Sequence, residues 1–161
     1  MKRVLRILLR LTALLAMALL AFYIIFYFAQ HPMVYESERD VTRTPADLDW
    51  EYEDVSVPVD GNTTTGWFIP FENARGTILF CHGNGSNVGG HLDAVRRFRE
   101  MQYSVLIFDY GGFGRSTGSS NEARVYADAA AMWTYLTEQR KIPADRCDEQ
   151  QSSRATVRLI D

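Results

Sequence analysis

From Leu11 to Ala29 the chain is apolar without a break apart from Thr12, and nothing after this run resembles it. As a helix rising roughly 1.5 Å per residue, the run would span about 28 Å, the thickness of a bilayer's hydrocarbon core. It is hydrophobic on every side, and Tyr23 and Tyr27 sit near its outer end like an interfacial belt. The pattern predicts a transmembrane anchor over 11–29. A cleaved secretory signal is the competing reading, but the run is long for such a segment and no A-x-A-like site follows before Gln30-His31-Pro32. Lys2, Arg3, Arg6 and Arg10 precede the run, while Glu36, Glu38 and Asp40 outnumber Arg39 just after it. The positive-inside rule then places residues 1–10 in the cytoplasm and the rest outside.

Residues 30–49 are polar and contain Pro32 and Pro45, which reads as a linker. Val55, Val57 and Val59 then alternate with polar neighbours, Asp60-Gly61 offers turn chemistry, and Thr63 to Ile69 resumes a strand pattern. An antiparallel hairpin is expected here. Next come Thr77 to Cys81 (strand), Gly90 to Met101 (helix), Ser104 to Phe108 (strand) and Asn121 to Arg140 (helix). The alternation predicts an α/β fold, and the nearly all-apolar strands suit a parallel sheet covered by helices on both faces. In the last helix, Val125, Ala129, Met132, Trp133 and Leu136 recur at helical spacing, with Asn121 as N-cap. A further apolar strand should follow Arg146. Residues 147–161 instead begin Cys-Asp-Glu-Gln-Gln-Ser-Ser, so the hydrophobic pattern predicts no strand there, only an unpatterned tail after a domain over 50–146.

At 161 residues and 47% hydrophobic content the chain suits one modest domain. Four of its 17 basic residues lie in the first ten positions, leaving residues 11–161 with 13 basic against 20 acidic residues. That excess of negative charge opposes nucleic-acid binding. Cys81 and Cys147 are the only cysteines, which is neither a disulfide framework nor a metal spacing. His31 and His91 read as solvated polar residues, no metal cluster can be assembled from the histidines, and no cofactor is expected.

The chemistry concentrates in two loops. One strand ends in His82-Gly83-Asn84-Gly85-Ser86-Asn87, and the next ends in Asp109-Tyr110 before Gly111-Gly112-Phe113-Gly114-Arg115-Ser116. With the preceding hairpin, these loops resemble the α/β-hydrolase superfamily, and within it the membrane-anchored, Bem46-like branch of serine hydrolases, over about residues 48–146. The resemblance implies an α/β-hydrolase sheet, here incomplete, behind one transmembrane helix. It also implies hydrolysis of ester or related acyl bonds of a small molecule in the full-length family. The N–H of Asn84 would be one oxyanion donor, with Gly83 and Gly85 letting the backbone approach, and the second donor would follow the nucleophile. His82 would be structural, bonding its own loop, and Asp109 would order the neighbouring loop without being the triad acid.

Gly114-Arg115-Ser116-Thr117-Gly118 fits G-x-S-x-G, but three residues separate it from the strand at Tyr110, so Ser116 would lie on a slack loop instead of a sharp elbow. No histidine follows His91, and the hydrolase triad runs Ser, acid, His. No catalytic residue is therefore assigned, and the expectation is a truncated or frameshifted, inactive N-terminal part of a hydrolase. Without a strand after Arg146, the Thr77–Cys81 strand would become an open edge, inviting association or aggregation. Two alternatives remain. One is a membrane-anchored interaction module without enzymatic activity, recruiting a partner strand at that edge. The other is a nucleotide-binding fold, for which Gly85 to Gly90 is a poor match because His91 stands where a P-loop needs lysine.

Overall fold

The computed structural model describes residues 2–34 and 38–151. The chain divides into two compact units, one over Met1–Tyr35 and one over Glu36–Asp161. In the first, α1 runs from Lys2 to Val34, and its Lys2–Ala29 stretch is long and apolar enough to cross a membrane, with no buried side chain. The helix therefore continues past Pro32, where the sequence suggested that a linker had begun.

The second unit is a mixed five-stranded sheet in the order β1-β2-β4-β3-β5. Strands β1 (Glu53–Val59) and β2 (Asn62–Ile69) form the expected hairpin, joined by a turn at Asp60-Gly61. In β1 the three valines are buried and their neighbours exposed. Strand β2 also pairs antiparallel with β4 (Ser104–Asp109), while β3 (Thr77–Cys81) lies parallel to β4. Both β3 and β4 are buried along their whole length, as strands covered on two faces must be.

Side chains alternate between two cores. Leu79, Cys81, Leu106 and Phe108 face α3 (Glu122–Thr134), which continues as a turn of π-helix, Tyr135–Gln139. Ile78, Phe80, Val105 and Ile107 face α2 (Leu92–Glu100), where Leu92 and Val95 are fully buried. Asn121 caps α3 by accepting the Arg124 N–H at 3.0 Å.

Three expectations need correction. First, a strand does follow Arg146: β5 (Cys147–Gln151) pairs parallel with β3, Thr77 opposite Cys147 and Cys81 opposite Gln151. Its main chain completes the ladder, and among its residues of described burial only Cys147 contributes to the core, so a hydrophobicity pattern had nothing to register. β3 is therefore an interior strand. Among the described residues the outer place falls to β5, whose exposed Asp148 supplies the kind of charge that discourages edge-to-edge pairing. Second, the supposed linker is partly bound to the domain: Glu38 and Asp40 accept hydrogen bonds from it, and Pro45–Leu48 forms a 3-10 turn. Third, the deepest line on α3 is Arg124, Asp128, Met132 and Leu136: Met132 and Leu136 belong to the expected stripe, Val125, Ala129 and Trp133 pack partly buried against the same core, and the correction is Arg124 and Asp128, which that stripe left out.

That line begins with charge. Arg124 Nε donates to Asp128 Oδ1 at 2.6 Å, Thr64 Oγ1 donates to the same carboxylate, and the Gly111 N–H reaches Asp128 Oδ2 at 2.8 Å. Arg124 also donates to Thr64 Oγ1 at 3.1 Å, so helix, sheet and loop share one buried network. Truncating one member of such a pair strands the other charge. Asp128→Ala is expected to lower the unfolding free energy by about 3–5 kcal/mol in chemical denaturation. Asp93→Ala, at an exposed pair 3.8 Å from Arg43, should cost no more than about 1 kcal/mol. Equal losses would contradict the network's role.

Candidate functional site

The site lies where β3 and β4 end together. β3 leads into His82 and Gly83, then into an exposed turn at Asn84-Gly85. Gly85 has φ +90°, a conformation that glycine adopts without strain, and Asn84 Oδ1 accepts the Gly85 N–H at 2.8 Å. A 3-10 turn, Val88–His91, then opens α2, with Asn87 as its cap accepting the Gly89 N–H at 3.0 Å.

Beneath the exposed turn the loop is pinned from several sides. His82 is buried, and its Nδ1 lies 2.8 Å from the Gly83 carbonyl; since a carbonyl only accepts, Nδ1 carries the proton. The expectation that His82 bonds its own loop therefore holds in the geometry. Tyr110 Oη donates to the His82 carbonyl at 3.2 Å. Asp109 Oδ1 accepts the Val88 N–H at 2.9 Å and stands 3.4 Å from His82 Nε2, in ion-pair range but without hydrogen-bond geometry. Asp109 thus orders both loops, because its carbonyl also accepts from Ser116 Oγ at 2.6 Å.

Ser116 is not on a slack loop. It is fully buried, and its Oγ also accepts the Thr65 N–H at 2.8 Å. A hydroxyl committed in both directions to main chain is a structural clamp. Cys81 offers no nucleophile either: burial, and then the charge of Glu149, to which its thiol donates at 3.5 Å, push its pKa well above the ordinary thiol range. Burial likewise raises Tyr110 above the usual phenol range. Cys81 and Cys147 sit four residues apart along the β3–β5 ladder, roughly 13 Å, too far for a disulfide between them. Among the described residues no group of three His, Cys, Asp or Glu side chains could hold a metal ion.

His91 corrects the sequence reading. It is half-buried, its ring stacks on His82 at 4.9 Å, and its Nε2 is enclosed without a hydrogen-bond partner. The loop's other supports, Asn87 and Tyr110, were also missed. Asn87 stands just before a helical pattern, the ordinary signature of an N-cap, whereas nothing in the sequence marks Tyr110 as a brace.

Residues 72–144 match the family model described as serine aminopeptidase, S33. Protein bem46 of Schizosaccharomyces pombe is 30% identical over 134 residues, covering 77% of this chain and 44% of that protein. YfhR of Escherichia coli K12 is 38% identical over 85 residues, 49% of this chain and 30% of its own length. Among solved structures, the Pyrococcus furiosus esterase Pf2001 superposes with a TM-score of 0.62 at 25% identity, over 71% of this chain and 45% of the esterase. The chain belongs to the α/β-hydrolase superfamily. It matches less than half the length of each of these relatives.

In this hydrolase loop, burial first and then the neighbouring His82 depress the His91 pKa from 6.5 to about 4, with Asp109 opposing. The unfolded chain therefore takes up this proton before the folded one. His91's contribution to stability should be complete above about pH 6.5 and decline as the pH falls toward about 4. In pH-dependent denaturation, His91→Gln should flatten that decline. An unchanged slope would show that His91 titrates as it does in the unfolded chain.

Proposed function

We propose that this chain carries the oxyanion-receiving part of a membrane-anchored serine hydrolase acting on ester or related acyl bonds. Asn84 provides one backbone N–H, and Gly83 allows close approach of the acyl oxygen. The observation that carries this reading is the register of β5 against β3. Cys81 pairs with Gln151, so the two strands end level, and beside the strand end that leads into the His82–Gly85 turn lies Gln151, the last residue of β5. In this superfamily the nucleophile stands on the turn leaving that strand, and the second oxyanion donor is the next residue.

The sequence beyond Gln151 reads Ser-Ser-Arg-Ala-Thr, without the flanking glycines of an elbow, and no histidine follows His91. We infer that Ser116 is not the nucleophile of such a hydrolase, because its hydroxyl is committed to the main chain of β2 and β4. The length and composition of α1 support a single membrane span. The basic residues before it favour a cytoplasmic N-terminus, with the hydrolase part outside.

Loop transplantation tests the site. Replacing the structurally matched loop of the Pyrococcus furiosus esterase with His82–Gly90 should keep its esterase activity within about ten-fold. The same graft with proline at position 84, which removes the donor N–H, should lose about 100-fold or more in kcat. Equal activity of the two grafts would sink the assignment of Asn84.

A further inference from the structure

The segment just before the domain crosses both site loops. Glu38 accepts from Ser86 Oγ through its Oε2 at 2.9 Å, and its carbonyl accepts the Gly114 N–H at 2.8 Å. Two residues on, the Asp40 carbonyl accepts Asn87 Nδ2 at 2.9 Å, and Arg39 reaches the Gly118 carbonyl at 3.4 Å. Val41 packs against the core that contains Trp67 and Val88. The main chain then passes so close to Gly89 that a Cβ there would lie 2.6 Å from the Arg43 carbonyl oxygen. No other residue type fits that crossing without a shift.

We propose that residues 38–43 form a strap that positions the His82–Gly90 loop against the Gly111–Gly118 loop, and that Glu38 is its positioning residue. Of the strap's side chains, the Glu38 carboxylate is the one that takes a hydrogen bond from the His82–Gly90 loop, and the same residue's main chain holds the other loop. A hydroxyl bonded to a carboxylate is stronger than a neutral pair, which suits a clasp at an exposed position. Only residues 35–37 separate Glu38 from the last residue of α1, so the loop's order depends on the stretch of chain that leaves the apolar helix. This inference goes beyond the oxyanion assignment and holds whether or not the amides of the loop receive an oxyanion.

Amide hydrogen exchange on the full chain in lipid nanodiscs tests it. Glu38→Ala and Ser86→Ala should each speed exchange of the amides in 84–89 by about five-fold. The double variant should be no faster than either single one, because both remove the same bond. Glu38→Gln, which retains an acceptor oxygen, should stay within about two-fold of the parent, and the β1–β2 hairpin should not change. Additive acceleration in the double variant, unchanged loop exchange in both single variants, or equal acceleration in the hairpin would overturn the strap. If Glu38→Ala does not fold, Ser86→Ala against the parent and Glu38→Gln against the hairpin still decide it.

Discussion

Asp109 is the constraint around which this end of the molecule is arranged. It closes a fully buried strand with a carboxylate that is almost completely removed from water, and a buried charge must be compensated by hydrogen bonds or a partner. The Val88 N–H and the His82 ring approach Oδ1, and the residue's own carbonyl takes the Ser116 hydroxyl. Each of these partners belongs to a different stretch of the chain. Asp109 therefore ties the start of the turn before α2 through its carboxylate and the loop after β4 through its carbonyl, with the His82 ring at the exit of β3 packed 3.4 Å from Oδ1 without a hydrogen bond.

Asp128 repeats the device from the other layer. It draws the Gly111 N–H, Thr64 and Arg124 into one network, so the glycine-rich loop is held by Asp109 from within the sheet and by α3 from one side. Polar groups that are fully satisfied in a low-dielectric interior specify a single arrangement, at the cost of severe destabilisation when one is removed. The exposed turn at Asn84-Gly85 therefore rests on a rigid floor. Preorganisation of this kind is what backbone donors need if they are to meet developing charge without reorganising.

The sequence was most legible where hydrophobic periodicity carried the information. The valines of β1, the turn at Asp60-Gly61 and the apolar runs of β3 and β4 marked their elements to within a residue or two, and the two loop motifs pointed to the superfamily. Legibility failed where main chain or polar contacts decided the outcome. β5 forms from Cys-Asp-Glu-Gln-Gln because β3 offers a ladder of donors and acceptors, for which side-chain hydropathy is no guide. Arg124 and Asp128 on the inner line of α3 were missed because they form a buried ion pair, which a search for apolar stripes passes over. Glu38 and Asp40 looked like linker because their contacts reach tens of residues ahead.

Membership of the α/β-hydrolase superfamily does not by itself make this chain a catalyst. The G-x-S-x-G string around Ser116 matches a nucleophile elbow in letters only, since the hydroxyl is buried and bonded to the main chain of β2 and β4. The central proposal is a preorganised oxyanion loop in which Ser116 is a structural clamp and not the nucleophile, and covalent labelling tests it most directly. A fluorophosphonate probe applied to the full chain in nanodiscs should leave no adduct at Ser116. An adduct on Ser116 that disappears in Ser116→Ala would contradict the account.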